Sequence, residues 1–206
     1  MKVIVLASDI QWEELIEINK VPVFIRANAE EYFSGVPDAD VIIDLREEVF
    51  IKDYADIKEP VLINSVVKTL IDIDAGPNIY RINGWPGFLN KPVWEIAGSN
   101  MAAINELSGL LEREFVVVGD QPGFISAKII SMIINEAYMT LNEEISTKQE
   151  IDIAMKLGTN YPYGPFEWAD RIGIQHINSL LERLYVSDKC YQPSPLLVNE
   201  VKGSFS

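Results

Sequence analysis

Apolar residues fall along the first part of the chain in short, β-branched runs: Val3 to Leu6, Val23 to Ile25, Val41 to Ile43, Val61 to Ile63, Val93 to Ile96 and Phe115 to Val118. Runs that are apolar throughout, rather than alternating, suit strands covered on both faces, as in a mostly parallel sheet. Between them lie segments with helical spacing. Gln11 to Ile18 puts Trp12, Leu15, Ile16 and Ile18 on one side, and Met101 to Leu111 repeats apolar residues at 101, 104, 107, 110 and 111. Strands alternating with amphipathic helices predict an α/β layer structure over residues 1–118.

Beyond residue 118 the period changes. Ile125, Ile129, Met132, Ile133, Ala137 and Leu141 form a long helical stripe after Pro122–Gly123. Thr147 and Glu150 have capping-box spacing; they open a helix carrying Ile151, Ala154, Met155 and Leu157 and stopping at Gly158. The rigid turn Tyr161-Pro-Tyr-Gly-Pro165 leads into a short helix through Ile172, with Pro165 in its first turn. One further helix runs from Ile174 to Val186, and Pro193-Ser-Pro195 starts a last one ending near Gly203. Residues 119–206 read as an all-helical domain.

Composition narrows the function. The 206 residues hold 31 acidic against 17 basic side chains, a net charge of -14, with 48% hydrophobic residues. That apolar content excludes a disordered chain, and the charge opposes phosphate backbones and anionic bilayers, so neither nucleic acid nor a membrane is an expected partner. No apolar run approaches a membrane span, and MKVIVLAS, followed at once by Asp9, Glu13 and Glu14, is too short and too acidic for a signal peptide. A cytoplasmic protein is the expectation. A lone Cys190 excludes an internal disulfide, and a lone His176 argues against a histidine-based metal site, so no metal is expected.

The second part carries an ordered set of motifs: Asp120-Gln-Pro-Gly-Phe-Ile125, Asn135-Glu-Ala137, Ile151-Asp-Ile-Ala-Met-Lys-Leu-Gly158, Tyr161-Pro-Tyr-Gly-Pro-Phe-Glu-Trp-Ala-Asp170, Ile172-Gly173 and Tyr191-Gln-Pro-Ser-Pro-Leu-Leu197. Together they resemble the C-terminal domain of the 3-hydroxyacyl-CoA dehydrogenases. The first part resembles that family's NAD-binding domain in reduced form, through Ala39-Asp-Val-Ile-Ile-Asp44, Asn64-Ser65 and Lys91-Pro-Val-Trp-Glu95. The resemblance implies a truncated Rossmann-like parallel sheet over residues 1–118, shortened chiefly before Ala39, then an all-α domain over residues 119–206. It also implies a homodimer formed through the helical domain.

The chemistry implied by the resemblance is depleted here. A dinucleotide fingerprint needs glycines for a tight turn, close diphosphate approach and helix–sheet packing. After Val3 to Leu6 those three positions are Ala7, Asp9 and Trp12, while Ser8 and Gln11 have capping-box spacing. Arg26 stands where an acidic residue would hold the adenosine ribose. The family's proton-transferring histidine falls at Asn83, and residues 1–118 contain no histidine at all. Glu95 matches the carboxylate that orients it, Ser65 matches a serine that contacts the substrate hydroxyl, and Ala127 stands where the family has an asparagine. Lys128 matches a basic position and reads as surface charge; His176 lies outside the matched catalytic positions. Phe124, Tyr163, Phe166 and Trp168 read as core. Asn83, Glu95 and Ser65 are therefore family-equivalent positions expected to be non-catalytic, with no cofactor assigned. The expected function is a degenerate family member that retains an acyl-CoA or partner-binding role. The alternative is an active oxidoreductase that interconverts a 3-hydroxyacyl-CoA and a 3-oxoacyl-CoA with NAD.

Overall fold

The computed structural model describes residues 2–18, 23–28 and 39–203, without the side chains of Ile18 and Val23. The chain divides into two compact units, 1–124 and 125–206. Residues 119–124 belong with the first unit rather than with the helices. Gly123 N donates to Val66 O at 2.8 Å, and the Asp120 carboxylate accepts from Leu70 N at 2.9 and 3.0 Å.

Seven strands of the first unit form one sheet: β1 (Lys2–Leu6), β2 (Val23–Arg26), β3 (Val41–Asp44), β4 (Val61–Asn64), β5 (Ile79–Ile82), β6 (Val93–Ala97) and β7 (Glu114–Val117). Their order is β2-β1-β3-β4-β5-β6-β7. Helix α1 (Asp9–Ile18) follows β1, and α2 (Met101–Leu111) joins β6 to β7. All pairings are parallel except β5 with β6. The sheet is thus mostly parallel, as expected, with one antiparallel pair. Residues 83–92, between β5 and β6, are fewer than the dozen or so that a parallel crossover needs, and β6 turns back beside β5.

Both faces of the sheet are covered, as the continuous apolar runs predict. On one face Val3, Val5, Val41, Ile43, Leu62, Ile82 and Ile96 pack with Leu15 of α1 and Ile104, Leu107 and Leu111 of α2. On the other, Ile4, Leu6, Ile42, Val61, Ile63 and Ile79 pack under Tyr54, Ile51, Ile57 and Leu70. Alternate residues of a strand serve opposite cores because Cβ directions alternate along it.

The second unit consists of α3 (Ser126–Asn142), α4 (Lys148–Thr159), α5 (Pro165–Ile172), α6 (Ile174–Tyr185) and α7 (Pro195–Gly203). In α3 the buried face differs from the expected stripe. Ala127, Ile130, Ser131, Ile134, Asn135 and Tyr138 are inside, while Ile125 and Ile129 are each 53% exposed. Asn135 is drawn in by hydrogen bonds: its Nδ2 donates to Gln192 O at 2.9 Å, and Ser194 N donates to its Oδ1 at 2.7 Å. The Thr147–Glu150 capping box forms as expected, but α4 runs past Gly158 and ends on Asn160, whose φ of 56° is left-handed. Phe124, Phe166 and Trp168 are buried and Tyr163 is half-buried. Among the described residues, no helix is long and apolar enough to cross a membrane, and no cluster of three or more His, Cys, Asp or Glu could hold a metal ion.

Candidate functional site

In an open α/β sheet, ligands lie beyond the C-terminal ends of the strands, where the strand order reverses direction. Here that point is β1, which stands between β2 and β3. The turns that meet there are Ala7–Ser8 after β1, Ala27–Asn28 after β2, Leu45–Arg46 after β3, Ser65 after β4 and Asn83–Gly84 after β5.

The register gathers Asn83, Glu95 and Ser65. Parallel pairing of Asn64 with Ile82 sets Ser65 beside Asn83. Antiparallel pairing of Ile82 with Ile96, carried one residue further, sets Asn83 opposite Glu95. Asn83 is buried, and its Oδ1 accepts from Trp85 N at 3.3 Å. Ser65 Oγ donates to Lys68 O at 2.9 Å, closing its own loop. Glu95 is half-buried on β6. In the other unit, Ala127 is fully buried on α3, Lys128 and His176 are half-buried on α3 and α6, and Cys190 is exposed.

Sequence reasoning missed Arg81, which organises this end of the sheet from inside β5. Its side chain is fully buried. Nε donates to Ser65 O at 2.7 Å, Nη2 reaches Val66 O at 3.3 Å and Gln121 O at 3.4 Å, and Nη1 is ion-paired to Asp120. The guanidinium lies 4.8 Å from the centre of the Phe124 ring. Burial pushes the arginine pKa down, and Asp120 opposes that shift by favouring the cation. The available signal was a charge inside the run Ile79-Tyr-Arg-Ile82 with a single acidic residue in the distant motif Asp120-Gln-Pro-Gly123.

Nearer β1 lies a cleft of about 400 Å³, lined by Leu6, Ala7, Arg26, Ala27, Asn28 and Arg46. Both arginines face acidic partners. Arg26 Nη2 donates to Asp9 Oδ1 at 2.6 Å and to Ala7 O at 3.1 Å. Arg46 forks onto the fully buried Asp44 at 2.9 and 2.7 Å, holding the guanidinium firmly charged. The Tyr54 hydroxyl also donates to Asp44, at 2.7 Å, and burial pushes its pKa up.

The dinucleotide implied by the resemblance does not fit these residues. Asp9 puts a carboxylate at the turn where a diphosphate would approach the backbone. Gln11 and Glu14 are 6% and 4% exposed, so polar side chains of α1 fill the ground beyond the strand ends. Trp12 packs against the core beneath.

By fold, the first unit is a Rossmann-like sheet and the second an all-α bundle, the combination seen in (S)-3-hydroxybutyryl-CoA dehydrogenase PaaH1 from Ralstonia eutropha. That structure matches with a TM-score of 0.69 at 19% identity, covering 98% of this chain and 94% of that one. Residues 123–204 match the family profile described as 3-hydroxyacyl-CoA dehydrogenase, C-terminal domain. A 3-hydroxybutyryl-CoA dehydrogenase of Bradyrhizobium diazoefficiens is 28% identical over 97% of this chain and 75% of its own length. The 3-hydroxyadipyl-CoA dehydrogenase of Escherichia coli is 43% identical, but over 39% of this chain, which spans 17% of that protein. Residues 123–204 thus match the C-terminal domain of the 3-hydroxyacyl-CoA dehydrogenases, and over nearly its whole length the chain is similar to a 3-hydroxybutyryl-CoA dehydrogenase.

Proposed function

We propose that this protein recognises an acyl-CoA thioester of the 3-hydroxyacyl or 3-oxoacyl class without the ordinary NAD-linked interconversion of the two. Kinship supports the ligand class, since the relatives are named as dehydrogenases of 3-hydroxybutyryl-CoA and 3-hydroxyadipyl-CoA. The altered reaction is carried by one observation: Asn83 stands where the resemblance puts the proton-transferring histidine. An amide donates and accepts hydrogen bonds but does not exchange a proton near neutral pH.

A second reading is an active oxidoreductase interconverting a 3-hydroxyacyl-CoA and a 3-oxoacyl-CoA with NAD. The homology to a 3-hydroxybutyryl-CoA dehydrogenase over 97% of the chain favours it. It requires a base other than histidine, and Glu95, opposite Asn83, is the ionisable side chain at that register. Calorimetric titration with acetoacetyl-CoA, followed by a nicotinamide absorbance assay with the same compound, separates the readings. The expected result is saturable thioester binding without nicotinamide consumption. Turnover that disappears in Glu95→Gln would establish the second reading, and absence of thioester binding would remove the ligand class. The homodimer belongs to the same proposal, and light scattering at a mass of one chain would remove it.

A further inference from the structure

We infer that helix α1 closes, from within the chain, the part of the crevice over the ends of β3, β4 and β5, beside the cleft at β1 and β2 that stays open, so that a dinucleotide cannot span the strand ends and what this protein does with a thioester needs none. The inference deepens the reading above and rests on it only for the ligand class.

The closing groups lie one turn apart. Ser8, Gln11 and Glu14 follow at intervals of three, so they share one side of the helix start. Ser8 and Gln11 satisfy each other first. Ser8 N and Oγ donate to Gln11 Oε1 at 3.1 and 2.9 Å, and Gln11 N donates to Ser8 Oγ at 3.4 Å. Amides that would otherwise face an anion at a helix start are thereby engaged. The far end of Gln11 then crosses the strand ends. Its Nε2 donates to Leu45 O and to Gly84 O, each at 2.9 Å. Those carbonyls follow β3 and β5, which are not neighbours; β4 lies between them. From β4, Asn64 joins the net, donating to Leu45 O at 3.4 Å and accepting from Gly84 N at 3.2 Å. One turn on, both oxygens of Glu14 accept from Gly87 N, at 2.8 and 2.7 Å.

The turn itself carries its own anion. The Asp9 carboxylate sits on Arg26, which also holds Ala7 O. Gly84 permits the close approach of its own loop to Asn64 and Leu45, because a Cβ there would lie 2.9 Å from both Asn64 Cβ and Leu45 Cδ2. A dinucleotide entering between these turns would have to displace Gln11, taking its side-chain donor from Gly84 O and leaving Leu45 O with only the longer bond from Asn64. Buried polar groups are rarely left so.

Two measurements on the full chain test the closure. Fluorescence titration with NADH and NADPH, and calorimetric titration with NAD+, should show no saturable binding into the millimolar range, with or without acetoacetyl-CoA. Saturable micromolar binding of any of them would overturn the inference. Separately, hydrogen exchange at the Gly87 amide should accelerate roughly tenfold or more in Glu14→Ala that circular dichroism shows to be folded. Unchanged protection there would also overturn it. Failure of acetoacetyl-CoA to bind, with dinucleotides still excluded, would remove the ligand class and leave the closure standing.

Discussion

Gln11 and Arg81 are buried polar side chains that do for the loops what strand pairing does for the sheet. Each gathers carbonyls from segments far apart in sequence: Leu45 and Gly84 by Gln11, Ser65, Val66 and Gln121 by Arg81. Replacing Gln11 by Met keeps the volume but leaves Gly84 O and Leu45 O short of a donor. That substitution should cost about 1–3 kcal/mol in urea unfolding, the scale for a buried group left unsatisfied. A loss no larger than that of an exposed substitution would mean that Gln11 acts by packing alone. Arg81→Met breaks a pair in which the arginine is fully buried and Asp120 is 23% exposed. The expected loss is about 3 kcal/mol, together with faster exchange at the Leu70 amide that Asp120 accepts from. A variant as stable as the wild type would show that the guanidinium contributes nothing net.

At the scale of elements, the helical unit is punctuated by acidic caps whose effect depends on pH. Glu150 is held below its ordinary value of 4.5, first by the Thr147 backbone N–H and then by the Thr147 hydroxyl. Glu167 is held below the same value, first by Lys156 and then by Gly164 N. A carboxylate with a depressed folded-state pKa stabilises the fold above its ordinary pKa, and that stability is lost as pH falls through the folded value. Asp152 works in the opposite sense: burial raises its pKa although Phe166 N donates to it at 2.8 Å, so its contribution fades as pH rises. The wild type should therefore melt above Glu150→Gln near neutral pH, and the gap should shrink as pH falls below about 4.5. Circular dichroism melts from neutral pH to about pH 3 check this, and a gap independent of pH would show that the cap acts through shape rather than charge. The helix starts were legible because capping residues announce themselves locally: Thr147 with Glu150, and Pro165 after Gly164. The end of α4 was not, because Gly158 and Asn160 both suit a helix end and the chain continues to the second.

For the molecule as a whole, the continuous β-branched runs made six of the seven strands legible. The runs in β1, β3 and β4 are apolar throughout because both faces of those strands are buried, while the edge strands β2 and β7 leave Ile25, Val116 and Val117 exposed. The seventh, β5, escaped because Arg81 interrupts its run, and that charge is tolerable only beside Asp120. The antiparallel turn of β6 and the strand order were equally hidden, because neither is a property of any single apolar run. On α1 the pattern named Trp12, Leu15 and Ile16 as the inner face, yet Ile16 is 44% exposed while Gln11 and Glu14 are inside. Ile18, on the same predicted face, lies outside the residues whose side chains are described. In the candidate site, the positions of Asn83, Glu95 and Ser65 could be found from motif order, but their convergence required the register of three strands. Sequence by itself determined the two-part architecture, the C-terminal domain's match to the 3-hydroxyacyl-CoA dehydrogenases and the absence of histidine from the first unit, because period, motif order and composition are properties of the chain. Only tertiary structure decided which polar residues are buried and what occupies the crevice, because a polar side chain goes inside only where distant backbone groups come near enough to pair with it.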